Sequence, residues 1–334
     1  MKERALIRDI RSGRQAIGGL IRGIGDDCAV FQAPAGDRVL LMTSDTLVDG
    51  VHFNRDFHPA ESLGRKCVSV NLSDIAAMGA LPCYALLCLS LPNDLPRKWL
   101  DQWRHGFDTQ LDAFSCALIG GDTTVGRDLV VTVTIVGAAP EGDILYRNRA
   151  QKNDLVCVSG PLGSAAAGLS LLQKGVREQA GGGDKKFNRL FKAHLDPEPL
   201  VRLGCFLGQS GLAHAMQDIS DGLATDLAHI CTESGVGAVI EEQFLPCDPQ
   251  LPVAADQLGV NRLDWMLRGG EDYQLLAAVA PEQIDSLNRA LEENGFSPLI
   301  VIGRLTEEEG VFLHLSSGRR EEISFQGYEH SSGD

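Results

Sequence analysis

VNLSDIAAMGA, residues Val70–Ala80, is the stretch that decides how this chain folds. It sets one charged residue, Asp74, among small and apolar neighbours. Read back from Met78, the apolar positions Ile75, Leu72, Val70, Cys67 and Leu63 recur at helical spacing. The spacing predicts a helix from about Ala60 to Met78, with Gly79 as its C-terminal stop. Strand patterns flank it. Val39–Thr43 is bounded by Gly36-Asp37 and by Asp45, and Ala85–Leu91 reads as a buried strand. Pro96–Phe114 follows as a helix, with Trp99 and Trp103 four apart as packing residues. Ala117–Ile119 is a short strand ending at Gly120-Gly121, and Leu129–Ala138 alternates Thr with Val and Ile. The pattern is mixed α and β.

Further along, the polar segment RNRAQKND (Arg147–Asp154) marks a boundary, and a new strand, Leu155–Ser159, follows it. A Gly-rich turn then opens a helix in GPLGSAAAGLSLL, and EQAGGGDKK reads as a loop. Helices are expected near Leu200–Gln209, Asp218–Ser234 and Pro281–Asn294, with strands at Ala238–Glu241, Tyr273–Val279 and Leu299–Ile302. A length of 334 residues suits two domains, which we divide as 1–146 and 147–334.

Composition narrows the class. Hydrophobic residues make up 44%, enough for a sizeable core. Acidic residues outnumber basic ones, 45 to 30, for a net charge of −15, which argues against nucleic acid or an anionic membrane as partner. The nine cysteines form no Cys-x-x-Cys pair and no zinc-finger spacing, so they read as free thiols of a reducing cytosol. MKERALIRDIRSGRQ lacks a signal-peptide core, and no apolar run approaches the ~20 residues of a membrane span. The expectation is a cytoplasmic protein.

The chemistry lies in a series of aspartates set at apparent turns: Asp26-Asp27, Asp45, Asp74, Asp122, Asp218 and Asp221. Magnesium takes oxygen ligands, one or two carboxylates completed by phosphate oxygens, and Thr43 and Ser44 beside Asp45 add hydroxyl or carbonyl oxygens. Taken singly, each aspartate also reads as a turn or N-cap residue. Asp218 and Asp221 lie three apart, so a helical turn would put both on one face. Neither a phosphate loop of the G-x-x-x-x-G-K-[ST] type nor a dinucleotide fingerprint is present. Gly120-Gly121 offers backbone N–H groups to phosphate, or is an ordinary tight turn. His52, Glu271 and Tyr328 each have a structural reading beside a ligand-binding one. Glu271 suits a cationic or amino-bearing heterocycle, and Tyr328 can stack on such a ring.

GIGDDCAV, TSDTLVDGVHF, VNLSDIAAMGA, LIGGDTT, SGPLGSAAAGL, DISDGLATDL, RGGEDYQLL and GYEH occur in this order from residue 20 to residue 330. In these motifs the chain resembles the thiamine-monophosphate kinases, within the aminoimidazole ribonucleotide synthetase-like ATP-binding superfamily. The resemblance implies an α/β N-terminal domain that forms a homodimer and binds ATP and metal. It also implies an α/β C-terminal domain that completes the active-site cleft. It matches Asp27, Thr43, Ser44, Asp45, Asp74, Asp122, Asp218 and Asp221 to magnesium positions. Gly121, Asp122, Arg147 and Ser220 match ATP contacts, and His52, Glu271 and Tyr328 match thiamine monophosphate contacts. The chain departs from the family pattern at Asn148-Arg149-Ala150, where Arg149 competes with Arg147, in GYEH followed by SSGD, and at Arg4–Ile7.

The reaction so implied is phosphorylation of thiamine monophosphate by ATP with several Mg²⁺ ions. Its acceptor is already ionised, so no general base is needed and no residue is assigned as one. Selenophosphate synthetases, in the same superfamily, carry a reactive Cys or selenocysteine and a Lys near the start. Residues 11–27 hold neither Cys nor Lys. A non-catalytic nucleotide sensor need not retain every metal ligand.

Overall fold

The computed structural model describes residues 36–177 and 186–328, with the backbone of Leu20–Arg22 and Val30–Phe31. The chain divides into two compact units: Met1–Ile75 with Ala80–Gly142, and Ala76–Gly79 with Asp143–Asp334.

In the first unit, β1 (Leu20–Arg22) and β2 (Val30–Phe31) form an antiparallel pair. Then come β3 (Arg38–Val48), α1 (Ala60–Ala77), β4 (Leu81–Leu91), α2 (Arg97–Ala113), β5 (Ala117–Val125) and β6 (Val130–Pro140). The longer strands make one sheet in the order β3-β6-β4-β5, antiparallel except for the parallel pair β4/β5. Leu47, Val131, Val133, Ile135, Leu87 and Leu89 form its buried face. Helix α1 buries Leu63, Cys67, Val70, Leu72 and Ile75, as the spacing predicts. Helix α2 buries Leu100, Trp103, Phe107 and Leu111 along one stripe, with Trp103 stacked on Phe107 at 5.1 Å.

Two strands run further than the sequence suggests. β3 continues through Thr43, Ser44 and Asp45 to Val48, paired with β6 along its whole length. It is an edge strand with one open face, so polar residues do not end it. β5 likewise passes through Gly120-Gly121-Asp122. Gly121 has φ +147°, and a Cβ there would lie 1.8 Å from the Leu87 carbonyl oxygen. That glycine is a close approach of two strands rather than a turn.

The second unit opens with β7 (Leu155–Val158), α3 (Ser164–Gln173), α4 (Asn188–Leu195), α5 (Val201–Ser210), β8 (Ala213–Asp218) and α6 (Leu223–Ser234). It continues with β9 (Gly237–Glu241), α7 (Gln250–Leu258), α8 (Arg262–Arg268), β10 (Leu275–Val279), α9 (Ile284–Glu293), β11 (Ile300–Thr306), β12 (Val311–His314) and β13 (Arg320–Glu322). Its seven-stranded mixed sheet has the order β13-β12-β9-β11-β7-β10-β8. Every residue of β10 (LLAAV) is buried, as expected for a strand covered on both faces. The helix expected from Asp218 starts instead at Leu223, because residues 219–222 form a turn.

No helix among the described residues is long and apolar enough to cross a membrane. The described cysteines are free thiols, and burial pushes Cys67, Cys116, Cys157 and Cys231 up to about 12. Those four are inert packing groups.

Candidate active site

In the first unit, the alternation of β3 sorts the candidates by face. Thr43 and Asp45 share the half-covered side with Leu47, and the Thr43 hydroxyl donates to Asp74 Oδ2 at 2.5 Å. The Asp45 backbone N–H donates to Asn71 Oδ1 at 3.0 Å. Asn71 and Asp74 are three apart on α1, so one helix face meets one strand face. Thr43, Asp45 and Asp74 therefore stand together. Ser44 does not join them. It points to the open side of the sheet, 2.8 Å from the Thr134 hydroxyl. Asp122 also lies on that side, in register with exposed Cys88, which pairs with Thr132. Its carboxylate accepts the Thr123 N–H at 2.8 Å.

Asp74 is not an N-cap. It occupies the last turn of α1, where the helix dipole disfavours negative charge, and it is the half-open residue in a run of buried ones. A carboxylate held there against the dipole is suited to a cation. His52 follows β3 in a turn, and its Nδ1 accepts the Val48 N–H at 3.1 Å. That bond leaves Nε2 as the N–H donor of a neutral ring. Asp27 lies outside the described residues.

In the second unit, four loops meet. Asp218 ends β8, buried, and the turn to Gly222 carries Ser220 and Asp221. The Ser220 carbonyl accepts the Glu271 N–H at 2.8 Å, the Ile219 carbonyl accepts Tyr273 N–H at 2.8 Å, and the Asp221 carbonyl accepts Tyr328 N–H at 2.8 Å. The backbones that carry Asp218, Ser220, Asp221, Glu271 and Tyr328 are thus in one hydrogen-bonded cluster. Glu271 has φ +68°, a conformation an L-residue adopts at a cost, and His194 Nδ1 lies 3.0 Å from its Oε2. Tyr328 is half exposed.

Two buried carboxylates hold these loops. Asp226 Oδ2 accepts N–H bonds from Ser220, Asp221 and Gly222 at 3.0–3.1 Å, while Oδ1 accepts Gln217 Nε2 at 2.7 Å. Burial and the nearby Asp221 charge push its carboxyl up to about 7, against the pull of those N–H bonds and of Arg147. Asp272 accepts the Gly163 N–H at 2.5 Å and the Ala165 N–H at 3.0 Å. It caps α3, so the Gly-rich turn SGPLGS is filled by an internal carboxylate. Burial raises Asp272 to about 7 as well, partly offset by its backbone donors. Gly222, at φ +111°, lets the loop pass Arg268, whose carbonyl carbon would lie 2.9 Å from a Cβ there.

Arg147 and Arg149 separate in space. Arg149 stacks on the Tyr146 ring at 4.4 Å, whereas Arg147 is close enough to Asp226 to lower its pKa. Asn71 and Asp226 carry no role in the sequence reading, and Asp272 enters it only beside Glu271, as a turn-capping residue, which is how it acts here. Each sits inside a quoted motif, but a buried acceptor of backbone N–H bonds leaves no spacing signal of its own.

Among the described residues no three His, Cys, Asp or Glu side chains close into a metal cage. Magnesium does not need one. One or two carboxylates with a hydroxyl, water and phosphate oxygens suffice, and Thr43/Asp45/Asp74 and Asp218/Asp221 are hard-oxygen sets of that size.

Residues 25–139 match the AIR synthase related protein N-terminal domain family, and residues 151–316 match the corresponding C-terminal domain family. Thiamine-monophosphate kinase from Escherichia coli K12 is 38% identical over 308 residues, covering 92% of this chain and 91% of the relative. The crystal structure of thiamine-monophosphate kinase from Stenotrophomonas maltophilia K279a superposes with a TM-score of 0.81 at 38% identity, covering 96% of each chain. A solved complex of AaThiL with AMPPCP and TMP superposes at 0.76 with 32% identity, covering 87% of this chain and 88% of that one. The two matched domains, the shared fold and the identity along nearly the whole length place this chain in the thiamine-monophosphate kinase family.

Proposed function

We propose that this protein transfers the γ-phosphoryl group of ATP directly to the phosphate of thiamine monophosphate, giving thiamine diphosphate. One observation carries the reading. The turn bearing Asp218, Ser220 and Asp221 is hydrogen-bonded through its own carbonyls to the backbones of Glu271 and Tyr328. Nucleotide and metal positions thus stand next to acceptor positions, as transfer between two polyanions requires.

Thr43, Asp45, Asp74, Asp218 and Asp221 would hold Mg²⁺, with Asp27, Ser44 and Asp122 assigned by family resemblance. When bound, the metal neutralises phosphate charge that would otherwise oppose the approach of donor and acceptor. Gly121, Asp122, Ser220 and Arg147 contact ATP. Its place beside Asp226 favours Arg147 over Arg149, whose guanidinium is engaged with Tyr146. His52 offers Nε2–H to the acceptor, Glu271 offers a carboxylate to the aminopyrimidine or thiazolium, and Tyr328 offers a ring face. No residue is assigned as general base, because the acceptor phosphate is already ionised at neutral pH. Transfer is then mainly positioning by this chain's side chains and charge neutralisation by the metal they would hold, with Arg147 assisting.

Residues 1–146 form the ATP-binding, metal-binding and dimerising part, and 147–334 supply the remaining residues for the reaction. Leu40 and Met42, exposed on the open face of the first sheet, support a homodimer. The setting is the cytoplasm, in keeping with the free thiols. The test is turnover of thiamine monophosphate with ATP and Mg²⁺. Formation of thiamine diphosphate and ADP in equal amounts, abolished by chelation of the metal, is expected. ATP hydrolysis without thiamine diphosphate would overturn the assignment.

A further inference from the structure

The turn Ile219–Gly222 spends its hydrogen-bonding groups in an ordered way. Its carbonyls at Ile219, Ser220 and Asp221 accept from Tyr273, Glu271 and Tyr328, on the acceptor side of the site. Three of its N–H groups, at Ser220, Asp221 and Gly222, converge on one oxygen, Asp226 Oδ2, while the Ile219 N–H donates to the Gln274 carbonyl. Three successive N–H groups aimed at one point make an anion-binding nest, and here the anion is internal. The other oxygen is fixed by Gln217, whose own Oε1 is buried without a hydrogen-bond partner among the described residues. Asp226 itself is 1% exposed, so it touches the turn and not a ligand in solution.

On the kinase reading above, we infer that Asp226 is a positioning residue for both substrates at once. By fixing the N–H side of the 219–222 turn, it sets where Asp218, Ser220 and Asp221 stand for MgATP. Through the carbonyl side, it sets where Glu271 and Tyr328 stand for thiamine monophosphate. Without the carboxylate, three buried donors lose their acceptor and the turn relaxes, carrying both halves of the site with it. Asparagine can take over in part. Its carbonyl oxygen can face the three donors while its NH₂ faces Gln217, whose amide turns over to present Oε1.

The test compares wild type, Asp226→Ala and Asp226→Asn as full-length chains, with two readouts. The first is hydrogen exchange without ligand at the amides of Ser220, Asp221, Gly222, Glu271 and Tyr328. Asp226→Ala should speed these at least about tenfold while β10 amides hold their wild-type rates, and Asp226→Asn should fall between. The second is kinetics per folded molecule. Asp226→Ala should raise KM for thiamine monophosphate and for MgATP each by about tenfold or more, and Asp226→Asn should recover to within about threefold of wild type. Loss of stability alone would leave both KM values of the folded fraction unchanged, so that result overturns the inference. So does a shift in one KM only, or Asp226→Asn as impaired as Asp226→Ala. Should Asp226→Ala fail to fold, exchange in Asp226→Asn decides: wild-type rates at all five amides overturn the clamp. A wild-type chain that does not turn over thiamine monophosphate would defeat the functional reading instead, and the exchange result would still decide the clamp.

Discussion

In the first unit, Asp45 stands within a paired strand and Asp74 within a helix, on regularly hydrogen-bonded backbone. In the second, Asp218 and Asp221 stand at and beyond a strand end, on a turn whose N–H groups are satisfied by the buried carboxylate of Asp226. Beside them, Glu271 follows a pair of glycines and precedes Asp272, which reaches across to cap α3. The difference teaches where fold and function separate. On regular elements a functional carboxylate can be altered with little cost to the fold. On clamped loops the same alteration, or loss of the clamp, costs stability and activity together. One acidic series thus hides two ways of holding charge in place.

The largest effect should come from the regular side. Asp74→Asn should lower kcat by about a hundredfold or more, because one charged ligand among few is lost. Its stability should hold, or rise by up to about 1 kcal/mol, since a charge opposing the α1 dipole is removed. Turnover and thermal unfolding of one preparation check both halves, and a folded variant with wild-type turnover would remove Asp74 from the site. On the clamped side, Asp272→Ala should destabilise the chain by about 2–3 kcal/mol, because backbone donors at Gly163 and Ala165 lose their acceptor. Denaturant unfolding reads this, and a variant as stable as wild type would break the comparison.

Smaller effects sharpen it. His52→Ala and Tyr328→Ala should raise KM for thiamine monophosphate about tenfold, with KM for ATP changed far less. The reverse pattern would move the acceptor elsewhere. The smallest is a pH effect. Asp272 is raised by burial to about 7 in the folded chain, above the ordinary aspartate value of 3.8, so the folded state binds more protons between those values. Stability from this group is greatest at low pH and declines as pH rises toward 7. The difference in unfolding free energy between wild type and Asp272→Asn should therefore shrink from about pH 4 to pH 7 and level off above it. A flat difference would show that folding does not raise this carboxyl.

How much of this was legible in the sequence depended on what kind of signal each residue leaves. Helix α1 was readable almost to the residue, because a buried helix repeats its apolar positions. β3 and β5 were cut short, because polar residues on an edge strand and a glycine at a close strand approach look like strand ends. The motif reading picked out Thr43, Asp45 and Asp74, yet it had no way to see that Ser44 and Asp122 face the other side of the sheet. That follows from strand register, which needs the partner strands. The expected helical turn joining Asp218 and Asp221 is absent, since Gly222 at φ +111° ends any such turn before α6 begins. Asp272 is legible only as a turn cap after Gly269-Gly270, and Asp226 carries no signal of its own, because a buried acceptor is defined by what folds onto it.

The central claim is that the aspartates hold and position, and that none of them attacks. A carboxylate nucleophile would insert a second displacement at phosphorus. ATP made chiral at the γ-phosphorus with isotopic oxygen and sulfur separates the two courses. The account predicts a single inversion of configuration in the thiamine diphosphate formed from thiamine monophosphate. Net retention would mean a phosphoenzyme on one of Asp27, Asp45, Asp74, Asp122, Asp218 or Asp221, and would contradict it.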